Sequence, residues 1–190
     1  MITVVMPSYL GDYPGAASNR EAKLRRAINS FVAQGFGRLV VVADGCQKTI
    51  DIVSEYRDNF SIVGILIDKQ PLFSGVPRQV GINFAATPWI CYLDSDDEFG
   101  PNHLRVIREN LDDSIDWLYY NDILVDRHRD CSVAFTRIGT SCIVHKKNTP
   151  AVWPTGYGHD WKFILQLGQN YKKITGAEYI VKHVPNVVDK

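Results

Sequence analysis

Asp94, Asp96, Asp97 and Glu98 crowd four carboxylates into five positions, interrupted only by Ser95. They follow directly on the apolar run Trp89-Ile90-Cys91-Tyr92-Leu93. Negative charge packed this closely is costly unless water or a cation neutralises it. A divalent cation with oxygen ligands answers that need, above all one that also holds phosphates. The apolar run reads as a strand buried on both faces, which in an α/β protein is a central parallel strand. Ligands bind at the carboxyl ends of such strands, where the acidic cluster stands. Pro101, at a first helical position, then starts the next helix.

The elements that must hold this cluster alternate in the first half of the chain. Ile2 to Met6 is a short β-branched strand ended by Pro7. Ser18 to Glu21 has the spacing of a capping box, and Leu24, Ile28 and Phe31 recur at helical intervals until Gly35. Leu39 to Ala43 is a second strand broken by Asp44-Gly45. Ile50 and Val53 suit a short helix, Ile62 to Ile67 a third strand, and Pro77 to Ala85 a helix leading into the fourth. Alternation of this kind implies a mostly parallel sheet with right-handed crossovers. After Pro101 the pattern changes. Trp117 to Val125, Val133 to Ile138 and Cys142 to His145 read as strands without long intervening helices, so a mixed or antiparallel extension is expected. A helix from Asp160 to Leu167 and a strand from Tyr179 to His183 close the chain.

Composition excludes several classes. With 190 residues, 45% of them hydrophobic, the chain can bury one core, and we read residues 1–190 as one domain. The 21 basic residues balance the 21 acidic ones, which argues against nucleic acid as a partner. No apolar run approaches transmembrane length, and the opening ITVVM lacks the features of a signal peptide. Cys46, Cys91, Cys131 and Cys142 show no metal-ligand spacing, and two fall in expected strands. They read as buried reduced thiols of a cytoplasmic protein.

Three strand ends carry polar residues able to converge: Pro7-Ser8-Tyr9 after the first strand, Asp44 after the second, and Asp94 to Asp97 after the fourth. Singly, each has an ordinary explanation. Ser8 can cap a turn, Asp-Gly is a common turn dipeptide, and an acidic run can be a solvated loop. Together they describe a nucleotide crevice, with Asp accepting hydrogen bonds from a base or ribose.

These blocks resemble the family 2 glycosyltransferases with the GT-A fold. TVVMPSY is similar to the opening strand, AINSFVAQGF to the following helix, VVVADGCQKT to the second strand and its turn. VPRQVGINFAATPWICYLDSDD is similar to the helix, strand and DxD motif, with Arg, Gly, Asn, Ala and the acidic signature in the family's order. The resemblance implies a single GT-A-like α/β domain: residues 1–100 bind the nucleotide and 101–190 face the acceptor. It implies a nucleotide-sugar donor, UDP-linked, an acceptor hydroxyl on a glycan or other molecule, and Mn²⁺ or Mg²⁺ as cofactor. Pro7, Ser8, Tyr9 and Ser95 would line the donor cleft, with Asp44 at the base and Arg78 near the phosphates. Asp94 would meet the ribose or metal, and Asp96 would be the principal metal ligand. GHDWKFILQLGQNYK is similar to the segment carrying the catalytic base, which places that role on Asp160. The family commonly has Glu before this Asp, where this chain has His159. YIVKHVPN is similar to the closing segment, which makes His183 a further metal ligand. One metal site and one carboxylate base suit direct displacement with inversion.

Other residues read as structure. His103, His128 and His145 lack i, i+4 ligand partners and suit surface or supporting positions. Trp117, Tyr119 and Tyr120 pack in a strand, whereas Trp153 and Tyr157, in the loop VWPTGYGHD, can either stack a sugar or pack. Lys146 and Lys147 read as solvated. Gly11 to Asn19 is either a loop over the nucleotide or plain surface. Two other functions are open: a non-catalytic nucleotide-sugar binding module, and a haloacid-dehalogenase-like phosphatase, whose Asp-x-Asp normally follows its first strand.

Overall fold

The computed structural model describes residues 1–13, 16, 19–59, 61–71, 73–124 and 127–182. The first half alternates as its periodicity requires: β1 (Ile2–Ser8), α1 (Arg20–Val32), β2 (Arg38–Asp44), α2 (Gln47–Ser54), β3 (Ile62–Ile67), α3 (Gly75–Phe84) and β4 (Trp89–Tyr92). The second half holds β5 (Glu98–Phe99), α4 (His103–Asn110), β6 (Trp117–Tyr119), β7 (Asp122–Leu124), β8 (Arg127–Arg129), β9 (Ile143–Lys146), α5 (His159–Gln166), β10 (Tyr171–Lys173) and β11 (Tyr179–Val181). Seven strands form the main sheet in the order β10-β6-β9-β4-β1-β2-β3, and four form a smaller sheet in the order β5-β11-β7-β8. The α/β fold expected from the sequence is the fold observed.

β1 is buried at all seven positions because helices cover both faces of the sheet. Ile2, Val4 and Met6 join Leu24, Ile28 and Phe31 of α1 and Leu104 and Ile107 of α4 in one layer. Val5 points the other way, to Ile82, Ile90, Trp117, Trp153 and Phe163. Here α3 approaches so closely that a Cβ on Gly81 would lie 2.3 Å from Val5 Cγ1, which only glycine allows. β4 pairs in parallel with β1 but antiparallel with β9, so it is the strand at which the parallel half ends.

Several expectations fail for local reasons. Pro101 lies in the turn before α4, which starts at His103 after Asn102 takes a left-handed φ of 77°. Trp117 to Leu124 is not one strand, because the chain passes from the main sheet to the small one at Tyr120-Asn121; Val125 lies outside the described residues. Val133 to Ile138 forms turns, since Thr136 has φ 65° and Arg137 N–H bonds the Ala134 carbonyl. The strand in this region is the charged Arg127–Arg129, paired with β7 through Arg129 and Asp122. Cys142 ends a 3-10 turn rather than opening a strand. Asn19 caps α1 without a side-chain bond, and Ser18 lies outside the described residues. Lys146 and Lys147 are tied to the carbonyls of Asp113 and Ala85 rather than free in solvent.

His103 and His145 are buried, not on the surface. His103 stacks on Phe99 at 4.2 Å. His145 ends a chain of hydrogen bonds in which Trp153 Nε1 donates to Tyr92 Oη and Tyr92 to His145 Nε2, while Nδ1 bonds the Lys146 carbonyl. Burial pushes His103 down to about 3 and His145 down to about 4. Both stay neutral in the fold while the unfolded chain takes up protons below about pH 6.5, so their contribution is complete above that pH and is lost as the pH falls toward 4. Urea titrations at about pH 7.5 and about pH 5 should show this loss. In His103→Phe the difference between the two pH values should shrink by about 2 kcal/mol.

Candidate active site

The chain runs from β1 outward to β2 and β3, then returns to β4 on the other side of β1. The carboxyl ends of β1 and β4 therefore border a topological switch point, where open α/β sheets form a ligand crevice. A cleft of about 530 Å³ opens there. Pro7, Ser8 and Tyr9 reach it from β1, Asp44 from β2, Arg78 from α3, and Asp94, Ser95 and Asp96 from the loop after β4. The fold thus brings together all eight residues that the sequence assigns to donor binding. Asp12 and Tyr13, from the loop after β1, Pro77 of α3, and Lys69, Gln70, Phe73 and Ser74, which the sequence did not single out, complete the lining.

Asp44 is not the exposed turn carboxylate that Asp-Gly suggests. It is buried; Oδ1 accepts the Gln70 backbone N–H at 2.7 Å and Oδ2 accepts Lys69 Nζ at 2.8 Å. The same ammonium lies 4.4 Å above the Tyr9 ring. Gly45 must be glycine, because its φ is 66° and a Cβ would meet the Lys69 backbone at 2.7 Å. Ser8 Oγ lies 3.1 Å from Thr49 Oγ1.

Arg78 is the centre of the site. Its side chain is only 5% exposed, 5.1 Å from the Trp153 ring centroid. Nη2 donates to Asp94 Oδ1 at 2.6 Å, while Nη1 reaches Ser74 Oγ and, at 3.0 Å, His159 Nε2. Asp160 Oδ1 lies 3.8 Å from the same Nη1. Burial opposes the guanidinium charge, but the Asp94 and Asp160 carboxylates outweigh it and raise its pKa. Burial and the neighbouring Asp96 and Asp160 carboxylates push Asp94 up against the pull of Arg78. His159 is held below its ordinary value, first by burial and then by Arg78 against the opposing pull of Asp160, so a neutral ring accepts the Arg78 proton. Asp97 turns away from the main cleft: its carboxylate accepts the Tyr179 hydroxyl at 2.9 Å and the Lys182 N–H at 2.7 Å.

A second cleft, of about 400 Å³, adjoins the first and shares Asp94 and Asp96 with it. Asp160 opens into this second cleft from the first turn of α5. Thr140 Oγ1 donates to Asp160 Oδ1 at 2.7 Å, and His159 Nε2 stands 3.0 Å away. No local signal marked Thr140, because the chain folds it back from a turn 20 residues upstream. Trp153 is core, stacked on Phe163 at 4.1 Å, while Tyr157 is exposed. His128 is exposed, and His183 lies outside the described residues.

Residues 4–129 match the model of the family described as Glycosyl transferase family 2. The chain belongs to that family. Over 128 residues it is 25% identical to the poly(ribitol-phosphate) beta-N-acetylglucosaminyltransferase TarS of Staphylococcus aureus, a match covering 65% of this chain and 20% of that protein. The chain thus spans about a fifth of the length of the curated relatives it matches. The crystal structure of S. aureus TarS 1-349 in complex with UDP-GlcNAc superposes with a TM-score of 0.76 at 18% identity, covering 95% of this chain and 58% of that one. The mannosyltransferase PcManGT from Pyrobaculum calidifontis, in complex with GDP-Man and Mn2+, gives 0.68 at 12% identity, covering 95% and 56%. These structures share the fold. The phosphatase reading falls with the family assignment. Among the described residues no helix is long and apolar enough to cross a membrane.

Arg78→Met should lower the unfolding free energy by about 3 kcal/mol, because it leaves two carboxylates without their cation; urea titration measures it. A loss below about 1 kcal/mol would mean that the guanidinium is no more than a surface ion pair.

Proposed function

We propose that this chain is the donor- and acceptor-binding unit of a metal-dependent, inverting glycosyltransferase that moves a sugar from a UDP-sugar to an acceptor hydroxyl. The observation that carries the reading is the wall of Asp94 and Asp96 between two clefts, one lined by the eight donor residues and the other holding Asp160. We assign residues 1–100 to the donor and 101–190 to the acceptor, whose chemistry, a glycan or another hydroxyl compound, is left open by the second cleft. UDP is favoured over GDP because TarS, with UDP-GlcNAc, superposes better than PcManGT, with GDP-Man.

Asp94 and Asp96 fit a hard divalent cation. They are adjacent oxygen donors in a partly buried cleft, and Asp94 is pushed up by Asp96, the repulsion such a cation relieves. Mn²⁺ or Mg²⁺ held there would neutralise the departing diphosphate. The remaining work belongs to the chain. Asp44, Tyr9 and Lys69 frame the nucleoside end of the cleft, and Arg78 supplies fixed positive charge toward the phosphate end. Asp160, oriented by the Thr140 hydroxyl that donates to it, takes the proton of the acceptor hydroxyl as its oxygen attacks the anomeric carbon. The bond to the diphosphate breaks on the opposite side, so the configuration inverts.

Asp160→Asn should keep UDP affinity while transfer falls by at least about 10²-fold, the usual contribution of a general base. Product from the unmutated chain should have the opposite anomeric configuration to the donor, read by NMR. Full activity in Asp160→Asn, or retained configuration, would remove the base assignment, and UDP binding with no transfer at all would favour a binding module. Calorimetry should show UDP bound far more tightly with Mn²⁺ than with EDTA, with most of that difference gone in Asp96→Asn. Equal affinities would overturn the metal site.

A further inference from the structure

Cys131 and Cys142 are distant from each other in the secondary structure yet adjacent in space. Cys131 follows β8 of the small sheet, with its N–H on Asn121 Oδ1 at 3.0 Å. Cys142 leads into β9 of the main sheet, and its carbonyl accepts the Tyr120 N–H at 3.0 Å. Both are fully buried, and their sulfurs lie 3.3 Å apart. That separation is within the van der Waals contact of two sulfurs, against a bonded distance of about 2.0 Å. Cys46 and Cys91 have no such neighbour among the described cysteines.

Asp122 stands beside the pair, with Cys142 Sγ 3.1 Å from Oδ2 and Cys131 Sγ 3.9 Å from Oδ1. Two thiols and a carboxylate are a metal-ligating set by type. The cation position is already filled: Arg129 forks onto both Asp122 oxygens, and its Nη2 lies 3.9 Å from Cys142 Sγ. A second cation would face that guanidinium at close range. Ser141 Oγ also donates to Asp122 Oδ2 at 3.2 Å. The buried carboxylate therefore keeps its partners when the thiol hydrogens are gone, so oxidation leaves no unpaired charge behind.

We propose that Cys131 and Cys142 are a redox modification site, closing reversibly into a disulfide that staples the small sheet to the main sheet beside Thr140 and Asp160. A Cys131 thiolate would be the attacking group, since the Cys142 thiol in contact with it holds Cys131 down to about 7. The oxidant is a low-molecular-weight disulfide. Cys131 attacks one of its sulfurs and expels the other as a thiolate, giving a mixed disulfide. Cys142 then attacks Cys131 Sγ, its proton passing to the second departing thiolate. Two protein thiols lose two electrons and the small disulfide becomes two thiols. Access comes through the turn at residues 132–138, whose backbone is closed on itself by Ser132 N–H to Arg137, Ala134 N–H to Ser132 and Arg137 N–H to Ala134, with Phe135 exposed and Ile138 anchored in the core. Such a segment opens locally without unfolding the sheets.

The site is independent of the glycosyl transfer reading, and the experiment does not use activity. The whole chain is equilibrated with oxidised glutathione, denatured, alkylated and mapped by mass spectrometry. The expected product is lighter than the reduced chain by two hydrogens, with a single linked peptide joining Cys131 to Cys142, alkylated Cys46 and Cys91, and reversal by dithiothreitol. The oxidised protein should melt several degrees higher than the reduced one. Cys142→Ala should instead accumulate one glutathione adduct on Cys131. If that variant does not fold, the map of the unmutated chain still decides. Four alkylated thiols after oxidation, a link involving Cys46 or Cys91, or co-purified metal released by chelation would overturn the proposal.

Discussion

The site rests on one buried positive charge. Arg78 has carboxylates on two sides, Asp94 from the loop after β4 and Asp160 from α5, and its guanidinium is the cation between them. Isolated in a low-dielectric setting, each charge would be expensive; together their attraction offsets the loss of water. The helix that delivers Arg78 is itself fixed by an apolar constraint, the close seat of Gly81 on Val5 of β1. Packing of the parallel sheet thereby sets the position of the charge, and the charge sets the distance between the two clefts.

The acidic loop divides its labour. Asp94 and Asp96 line both clefts, whereas Asp97 borders only the second and ties the loop after β4 to β11 through the Tyr179 hydroxyl and to Lys182. The Tyr179 hydroxyl also accepts the Asp94 N–H at 2.9 Å, so one phenol orients both a cleft residue and a buried one. Burial, with Asp94 and Asp96 nearby, pushes Asp97 up to about 7 despite these two bonds.

The parallel half was legible because period and position agree there. Apolar runs, Gly45 and the polar residues at strand ends all point to one crevice, and the eight residues that the sequence assigns to donor binding meet in it. The second half was less legible. Valine, phenylalanine and isoleucine at 133–138 look like strand, yet a backbone turn at Thr136 decides otherwise; Arg-His-Arg does not look like strand, yet a buried Asp122 recruits it. Asp44 lines the crevice as the sequence suggests, but its burial was not legible, since its partners Lys69 and Gln70 come from beyond the next strand. Thr140 and the Cys131–Cys142 contact depend on chain return over distances that no local pattern encodes. His183, expected at the metal, lies outside the described residues.

The wall common to the two clefts makes them thermodynamically dependent. Asp94 and Asp96 are exposed to both sides, and Arg78 bridges Asp94 toward Asp160. Whatever neutralises those carboxylates from one side changes the electrostatic free energy of a molecule on the other. Linkage then requires the effect to be mutual: the factor by which a ligand in the first cleft alters affinity in the second equals the factor by which the second alters the first. A wall two residues thick leaves no room for the two compartments to be occupied as strangers.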